Sequence, residues 1–176
     1  KTQDRCLGDD PRCFLYNGRP FCLSWDFLKA GRKLSYKIVN LIDGKCIPLS
    51  IEGDPRKDLE WGLGKNWMPL CVDNELYFVV TIDPQMSMLK CQVKDSEVAC
   101  SWVTDPPNSI PGRNSFISDF HGGTPFIYNQ EYECYFGVGH RHHGTNHHTP
   151  YLYSISKDLK THSINDGKTL EIEYPY

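Results

Sequence analysis

A repeat of about 55 residues constrains the fold of this 176-residue chain more than any other feature of its sequence. Three segments each open with polar residues and a proline, continue into an apolar run and reach an asparagine at a turn. Successive prolines are 58 and 56 residues apart, and successive asparagines are 57 and 55 residues apart. These landmarks are Pro11, Pro69 and Pro125, and Asn17, Asn74 and Asn129.

A second turn follows each of these hairpins, so every repeat contains four short strands. Four antiparallel strands per repeat is the pattern of a β-propeller blade. The sequence therefore predicts an all-β, propeller-like single domain with blade units at about residues 8–60, 61–118 and 119–176; an open β-sandwich is the alternative. Propellers typically close with about four to eight blades, so a longer protein, further copies or another chain would supply the missing ones. The second turns lie near Asp43-Gly44, Asp95-Ser96 and Lys157-Asp158.

Two pairs among the eight cysteines are nine positions apart, and each pair brackets a two-residue loop. Counting outward from the loop places the two cysteines of each pair directly opposite each other on neighbouring strands. Opposite residues come close enough for a disulfide, so both pairs are predicted to be cross-strand disulfides; free buried thiols are the alternative. The loops are Asn17-Gly18 and Asp95-Ser96, and the pairs are Cys13–Cys22 and Cys91–Cys100.

The other four cysteines, Cys6, Cys46, Cys71 and Cys134, have three possible pairings that the sequence does not separate. Disulfides in this number indicate an oxidising compartment, so the protein is expected to be secreted or extracellular. The net charge is −3 and there is no basic run, which argues against a nucleic-acid partner. No apolar stretch approaches the roughly 20 residues that cross a bilayer, so no membrane partner is predicted.

A polar cluster precedes the first strand of each repeat. Because the innermost strand of a propeller blade starts near the central axis, these clusters are expected to converge on one pocket. Carboxylates, cations and an imidazole around an aromatic ring suit a sugar or a phosphate, and an acid beside an arginine can act as a tuned proton donor. For the first cluster, an Asp-Pro turn motif is the structural alternative. The predicted residues are Asp9, Asp10 and Arg12; Lys65, Asn66 and Trp67; and His121.

These segments resemble motifs of the β-mannoside phosphorylases and the related β-1,2-mannosidases and mannosyltransferases, in the same order along residues 8–155. The resemblance implies a five-bladed propeller that binds a mannoside, with Asp10 as the general acid and inorganic phosphate as a co-substrate. It also implies that the phosphate is bound by Arg12, Lys65, His121 and the histidine segment at residues 139–148. Asp9 stands where the family has Glu, and Gly64 where it usually has an acid. The matching segments are Asp9-Asp10-Pro11-Arg12, Lys65-Asn66-Trp67-Met68-Pro69 and His121-Gly122-Gly123-Thr124-Pro125.

Residues 139–148 hold five of the seven histidines of the chain. Imidazoles close together are potential zinc or copper ligands, but this segment contains no carboxylate or cysteine, and no metal is predicted. We expect instead a polar loop over the pocket that contacts sugar or phosphate through His140 and Arg141; a plain solvated or interface loop is the alternative.

The sequence is therefore consistent with two different functions. The first is a secreted glycosidase-like propeller that acts on or binds a β-mannoside-like carbohydrate, with phosphate as the only small-molecule co-reactant. Hydrolysis would require a second carboxylate, for which Asp83 and Asp26 are the candidates. The second is a non-catalytic carbohydrate-binding or structural subunit of an extracellular assembly.

Overall fold

A computed structural model describes residues 8–28, 33–53, 66–83, 85–104, 120–143 and 147–165. All regular secondary structure in these ranges is β-strand, which confirms the all-β prediction. No helix in the described part of the chain is long and apolar enough to cross a membrane. The strands are β1 Asp9–Tyr16, β2 Arg19–Leu28, β3 Lys33–Asn40, β4 Cys46–Ile51, β5 Met68–Val72, β6 Glu75–Thr81, β7 Ser87–Val93, β8 Val98–Trp102, β9 Phe120–His121, β10 Ile127–Asn129, β11 Cys134–His143, β12 His147–Ser156 and β13 His162–Asn165.

The turns have the backbone conformation that their sequences predict. Asn17 and Gly18 both have positive φ, 50° and 69°, as a two-residue type I′ hairpin requires. Asp73 and Asn74 repeat this conformation between β5 and β6, with φ of 48° and 66°. Asn, Asp and Gly tolerate this left-handed region better than other residues, so the turn residues fix the register of the strands that they join.

The strand registers of the two cysteine hairpins are those predicted from the sequence. Cys13 lies opposite Cys22 in the β1–β2 pair, and Cys91 lies opposite Cys100 in the β7–β8 pair. The disulfide between Cys91 and Cys100 is present, with the two Cα atoms 4.2 Å apart. Cys13 and Cys22 face each other as free thiols, so the register is confirmed and the bond is not formed in this structure.

The remaining cysteines also include both bonded and free residues. Cys46 is disulfide-bonded, whereas Cys71 and Cys134 are free thiols. Cys6 lies outside the described residues.

The first eight strands form one sheet that nearly closes into a barrel. Its order is β1-β2-β3-β4-β8-β7-β6-β5, and β1 comes alongside β5 at the two ends of the sheet. Every neighbouring pair is antiparallel except β4 and β8, which pair in parallel through Leu49, Ser50 and Ile51. A second, five-stranded sheet has the order β10-β11-β12-β13, with β9 paired to β11.

Two hydrophobic cores hold these sheets together, and β6 belongs to both. Leu76 and Phe78 point into the barrel core, where Phe14, Tyr36 and Trp67 also lie. Tyr77 and Val79, on the opposite face of β6, pack against the second sheet through residues that include Phe126, Tyr135, Tyr153 and Ile155. Since successive strand residues face opposite sides, a strand covered on both faces reads as a continuous apolar run, as residues 76–80 do.

The four-stranded units expected from the repeat correspond to β1–β4, β5–β8 and β10–β13. Their arrangement differs from that of separate propeller blades, because β4 and β8 join the first two units into one sheet. The local sequence pattern carries no information on this long-range parallel pairing. The number of propeller blades is therefore not confirmed.

Candidate functional site

Strand β1 begins with a β-bulge at the predicted general acid. Asp9 pairs with Trp25 and Arg12 pairs with Leu23, so two residues of β1, Asp10 and Pro11, oppose a single residue of β2. Asp10 has a φ of 51°, in the left-handed region that a non-glycine residue seldom adopts. Bulges redirect side chains and are common beside active sites, and here the bulge presents a carboxylate that is 44% exposed.

Arg12 links this bulge to the start of the second unit. One guanidinium nitrogen, Nη2, donates to Asp10 Oδ2 at 3.1 Å and to Asn66 Oδ1 at 3.0 Å. The Arg12 side chain is only 10% exposed. Its Nε is buried and has no hydrogen-bond partner among the described residues. Buried polar atoms are almost always paired, so this unpaired donor is an exception that a ligand or a water molecule would satisfy.

The third unit meets the second at Gly122. A Cβ atom on this glycine would overlap the carbonyl oxygen of Asn66 and lie 2.7 Å from Cγ of Met68. Only glycine permits this approach of the two backbones. Asn66 belongs to the polar segment that precedes β5, and Gly122 directly follows His121. Residues from all three predicted polar clusters are thus brought together.

Strands β11 and β12 both contact His121 and fix its position. The hydroxyl of Tyr153 donates to the carbonyl oxygen of His121 at 3.2 Å. A Cβ on Gly139 would collide with the Tyr153 ring, so this glycine makes room for the contact. Burial, and then the negative charge of Asp83, raise the pKa of Tyr153 well above its ordinary value. The hydroxyl therefore stays protonated, and able to donate its hydrogen bond, throughout the physiological pH range.

The imidazole rings of His121, His140 and His148 lie side by side across the second sheet. His121 pairs with His140 between β9 and β11, and their ring centroids are 5.4 Å apart in a stacked arrangement. The ring of His148 lies 4.9 Å from that of His140. Beside them, the Arg141 guanidinium lies over the Phe120 ring at 5.3 Å, a cation–π contact. Within the described ranges, no group of three His, Cys, Asp or Glu residues has the geometry to hold a metal ion.

We call Asp10, Arg12, Asn66, His121 and His140 the polar cluster. All five belong to the residues predicted from the sequence, and the structure connects them through Arg12, Gly122 and the β9–β11 pair. The cluster combines a carboxylate, a guanidinium, an amide and two imidazoles. It can donate hydrogen bonds, accept them and carry a proton.

Other predicted residues lie elsewhere. Trp67 is 1% exposed and stacks on Tyr36 with ring centroids 3.8 Å apart, so this ring packs the barrel core instead of lining the polar cluster. Apolar burial of a large ring outweighs the polar character of the adjacent Asn66. Asp9 is exposed at the start of β1, and Lys65 lies outside the described residues.

The two candidates for a second carboxylate are engaged in other contacts. Asp26 Oδ2 accepts from Lys37 Nζ at 2.6 Å. Asp83 follows β6, where its charge acts on Tyr153.

Sequence reasoning missed the residues that support the cluster. Tyr153, Gly122 and Gly139 hold the His121 segment in place. The signal for them was weak, since paired and alternating glycines indicate a close backbone approach without saying to what.

Three cavities lined by described residues lie away from the polar cluster. Their volumes are about 700, 550 and 500 Å³. Tyr16 lines the largest and the smallest, at the opposite end of β1 from Asp10. Neither Asp10 nor Arg12 lines any of these three cavities.

No family model matches this chain, and no curated protein or solved structure is significantly similar to it. The resemblance to the mannoside phosphorylases therefore rests on the short motifs alone.

Proposed function

We propose that this protein is a glycosidase-like carbohydrate-binding protein that holds a β-mannoside-like sugar at the polar cluster, with Asp10 as the proton donor to the glycosidic oxygen. One observation carries the proposal. Arg12 is nearly buried, ties Asp10 to Asn66 and still has an Nε donor without a partner in the described ranges. Such a donor is typical of a position that a polar ligand completes.

The chemistry of the polar cluster suits sugar hydroxyls. Each hydroxyl donates one hydrogen bond and accepts others, so a sugar site needs both kinds of partner close together. Asp10 accepts, Arg12 donates, and the Asn66 amide can do both. The left-handed backbone at Asp10 supports this function, because strained conformations are concentrated at functional sites.

The proposed reaction is phosphorolysis. Hydrolysis normally uses two carboxylates, about 5–9.5 Å apart. Of the two candidates for the second carboxylate, Asp26 is ion-paired with Lys37 and the charge of Asp83 acts on Tyr153. Phosphorolysis needs one acid, because inorganic phosphate itself attacks the anomeric carbon. Asp10 would protonate the leaving oxygen, directly or through a sugar hydroxyl, and Arg12 and His121 would bind the phosphate, as the resemblance implies.

A second function, non-catalytic carbohydrate binding, is favoured by the engagement of both candidates for a second carboxylate. Asp26 is ion-paired with Lys37, and the charge of Asp83 acts on Tyr153. In that case Asp10 would serve only as a hydrogen-bond acceptor.

Binding and turnover by charge-matched variants separate these two functions. Calorimetric titration with β-1,2-mannobiose measures binding, and release of mannose 1-phosphate in the presence of phosphate measures turnover. Asp10→Asn keeps an acceptor for Arg12 but removes the acid, so binding should persist while turnover falls by about 10²- to 10⁴-fold. The matched control is Asp95→Asn, in an exposed hairpin loop beside the Tyr16 cavity, which should change neither quantity.

Each outcome decides between the functions. Binding without turnover in the unaltered chain would support the non-catalytic function. Absence of binding in the unaltered chain, or binding that survives Arg12→Met, would contradict the proposed site.

We also propose a secreted location and an assembly with further propeller blades. The Cys91–Cys100 disulfide supports an oxidising compartment. The remaining blades would come from further copies or from another chain, with the polar cluster near the propeller axis; the repeated meanders β1–β4, β5–β8 and β10–β13 are the basis of this proposal, although the β4–β8 pair joins the first two into one sheet. The native mass in solution tests this proposal: a stable monomer of 20.3 kDa would contradict assembly from several copies.

A further inference from the structure

Two hairpins with the same cysteine spacing differ in their bonding. Cys91 and Cys100 are joined, whereas Cys13 and Cys22 are opposite each other in register but remain thiols. Opposite residues on antiparallel strands point to the same face and have Cβ atoms about 4.5–5.5 Å apart. The geometry of β1 and β2 therefore already presents the two sulfur atoms to each other.

The two thiols differ in their access to solvent. Cys13 is exposed, whereas Cys22 is completely buried. Cys13 also lines a groove of about 550 Å³, together with Leu15 and Pro20, which is large enough for a small-molecule reagent. A reagent from solution would therefore reach Cys13 and not Cys22.

We propose that Cys13 and Cys22 form a thiol–disulfide exchange site, at which Cys13 reacts first with a low-molecular-weight disulfide of the glutathione type and Cys22 then closes the cross-strand bond. In the first step the Cys13 thiolate attacks one sulfur of the reagent, which forms a mixed disulfide and releases one reagent thiolate. In the second, the Cys22 thiolate attacks the Cys13 sulfur and releases the other. The two protein thiols are oxidised, the reagent is reduced, and both protons pass to the released thiols.

The second step should be slow at neutral pH. Burial, and then the neighbouring Cys13, raise the pKa of Cys22 to about 11. Only the thiolate is nucleophilic, so the rate of closure should rise about tenfold per pH unit until the pH approaches this pKa.

Formation of the Cys13–Cys22 disulfide would restrain β1 beside Arg12, a residue of the polar cluster. Cys13 directly follows Arg12, which pairs with Leu23 at the edge of the bulge. A covalent bond one residue away should hinder local opening of the β1–β2 pair, and hydrogen exchange of the Arg12 and Cys13 amides should slow on oxidation. This slowing of hydrogen exchange on oxidation is expected whether or not the protein binds a sugar.

The test uses the full chain after mild reduction, exposed to oxidised glutathione and then analysed by intact mass and peptide mapping. The unaltered chain should yield a Cys13–Cys22 crosslink. Cys22→Ala should retain one glutathione on Cys13, and Cys13→Ser should leave Cys22 unmodified. The same series in a Cys71→Ser/Cys134→Ser background removes the two other free thiols of the described residues.

Three results would overturn the proposal: a mixed disulfide on Cys13 that never closes, a bond from Cys13 to Cys71, or equally fast modification of Cys22 in the Cys13→Ser variant. Cys71 is the competing partner because it lines the same groove. Since Cys22 is completely buried, Cys22→Ser is prepared beside Cys22→Ala, and circular dichroism identifies which of them folds.

Discussion

The first and second four-stranded units share their strand order and turn chemistry but differ in how they are covered. In β6 of the second unit, residues 76–80 are all buried, because the barrel core lies on one face and the second sheet on the other. In β1 of the first unit, Phe14 is buried while its neighbour Leu15 is 66% exposed. Strand β2, the counterpart of β6 in the first unit, is also buried over residues 21–25, so the two units differ mainly in their first strands, β1 and β5.

Strand β1 carries several of the unusual features of the molecule. It contains a bulge, the left-handed residue Asp10 and the free thiol of Cys13, which faces the thiol of Cys22 on β2. Packing on both faces does not by itself exclude distortion, because the register of β6 against β7 also shifts between Val79 and Thr81. The polar cluster draws on all three units, with Asp10 and Arg12 from the first, Asn66 from the second, and His121 and His140 from the third.

The largest effect is expected from a truncation in the doubly covered strand. Phe78 is completely buried and lies in edge-to-face contact with Phe14, with centroids 6.1 Å apart. Phe78→Ala should lower the free energy of unfolding by about 3–5 kcal/mol, through lost burial and the cavity left behind. Leu15→Ala, the control on the singly covered strand, should change it by less than about 0.5 kcal/mol. Urea denaturation measures both, and equal losses would contradict the contrast between the strands.

The next effect concerns the disulfide of the second unit. Replacing Cys91 and Cys100 together by Ala should lower the free energy of unfolding by about 2–3 kcal/mol, since the bond restricts a short loop in the unfolded chain. Thermal unfolding with and without reductant checks this. The reductant should destabilise the unaltered protein more than the double variant, which retains the disulfide of Cys46. Equal destabilisation of both proteins would show that the Cys46 bond dominates.

A smaller effect tests the strained backbone of the first unit. At Asp10, with a φ of 51°, Asp10→Gly should be more stable than Asp10→Ala by about 1 kcal/mol, because only glycine adopts this conformation without penalty. At Leu15, in the regular part of β1, the order should reverse by about 0.5–1 kcal/mol. Chemical denaturation of the four variants gives the comparison. If alanine is the better residue at both positions, the bulge is not left-handed at Asp10.

The smallest effect is a pH dependence at Cys22. Its pKa in the folded protein is raised to about 11 by burial and then by Cys13, so the folded state binds the thiol proton more tightly than the unfolded state does. The resulting stabilisation is fully present below about pH 9 and should be lost as the pH rises through about 11. Unfolding measured under reducing conditions should show this decline in the unaltered chain and a weaker one in Cys22→Ala. Identical profiles would contradict the assignment.

Local chemistry accounts for what the sequence predicted well. Asn17-Gly18 and Asp73-Asn74 specify their turns, and the turns specify the registers that place Cys13 opposite Cys22. The convergence of the polar clusters was also expected, and Arg12 and Gly122 show how the described segments meet.

What the sequence did not predict depends on long-range packing. The parallel pairing of β4 with β8 joins strands that are about 50 residues apart, where hairpin rules do not apply. Trp67 was predicted to contact the ligand because it adjoins Asn66, yet its ring enters the barrel core and stacks on Tyr36, a residue about 30 positions away in the sequence. Tyr153 is distant in sequence from the His121 carbonyl that it supports.

The central claim is that the polar cluster binds a carbohydrate. The most direct test is an amide chemical-shift titration of the full chain with β-1,2-mannobiose. The account predicts saturable shifts that are largest at Asp10, Arg12, Asn66 and His121, and that are lost in Arg12→Met. Shifts confined to the cavity beside Tyr16 and Lys90, or no saturable shifts at all, would contradict it.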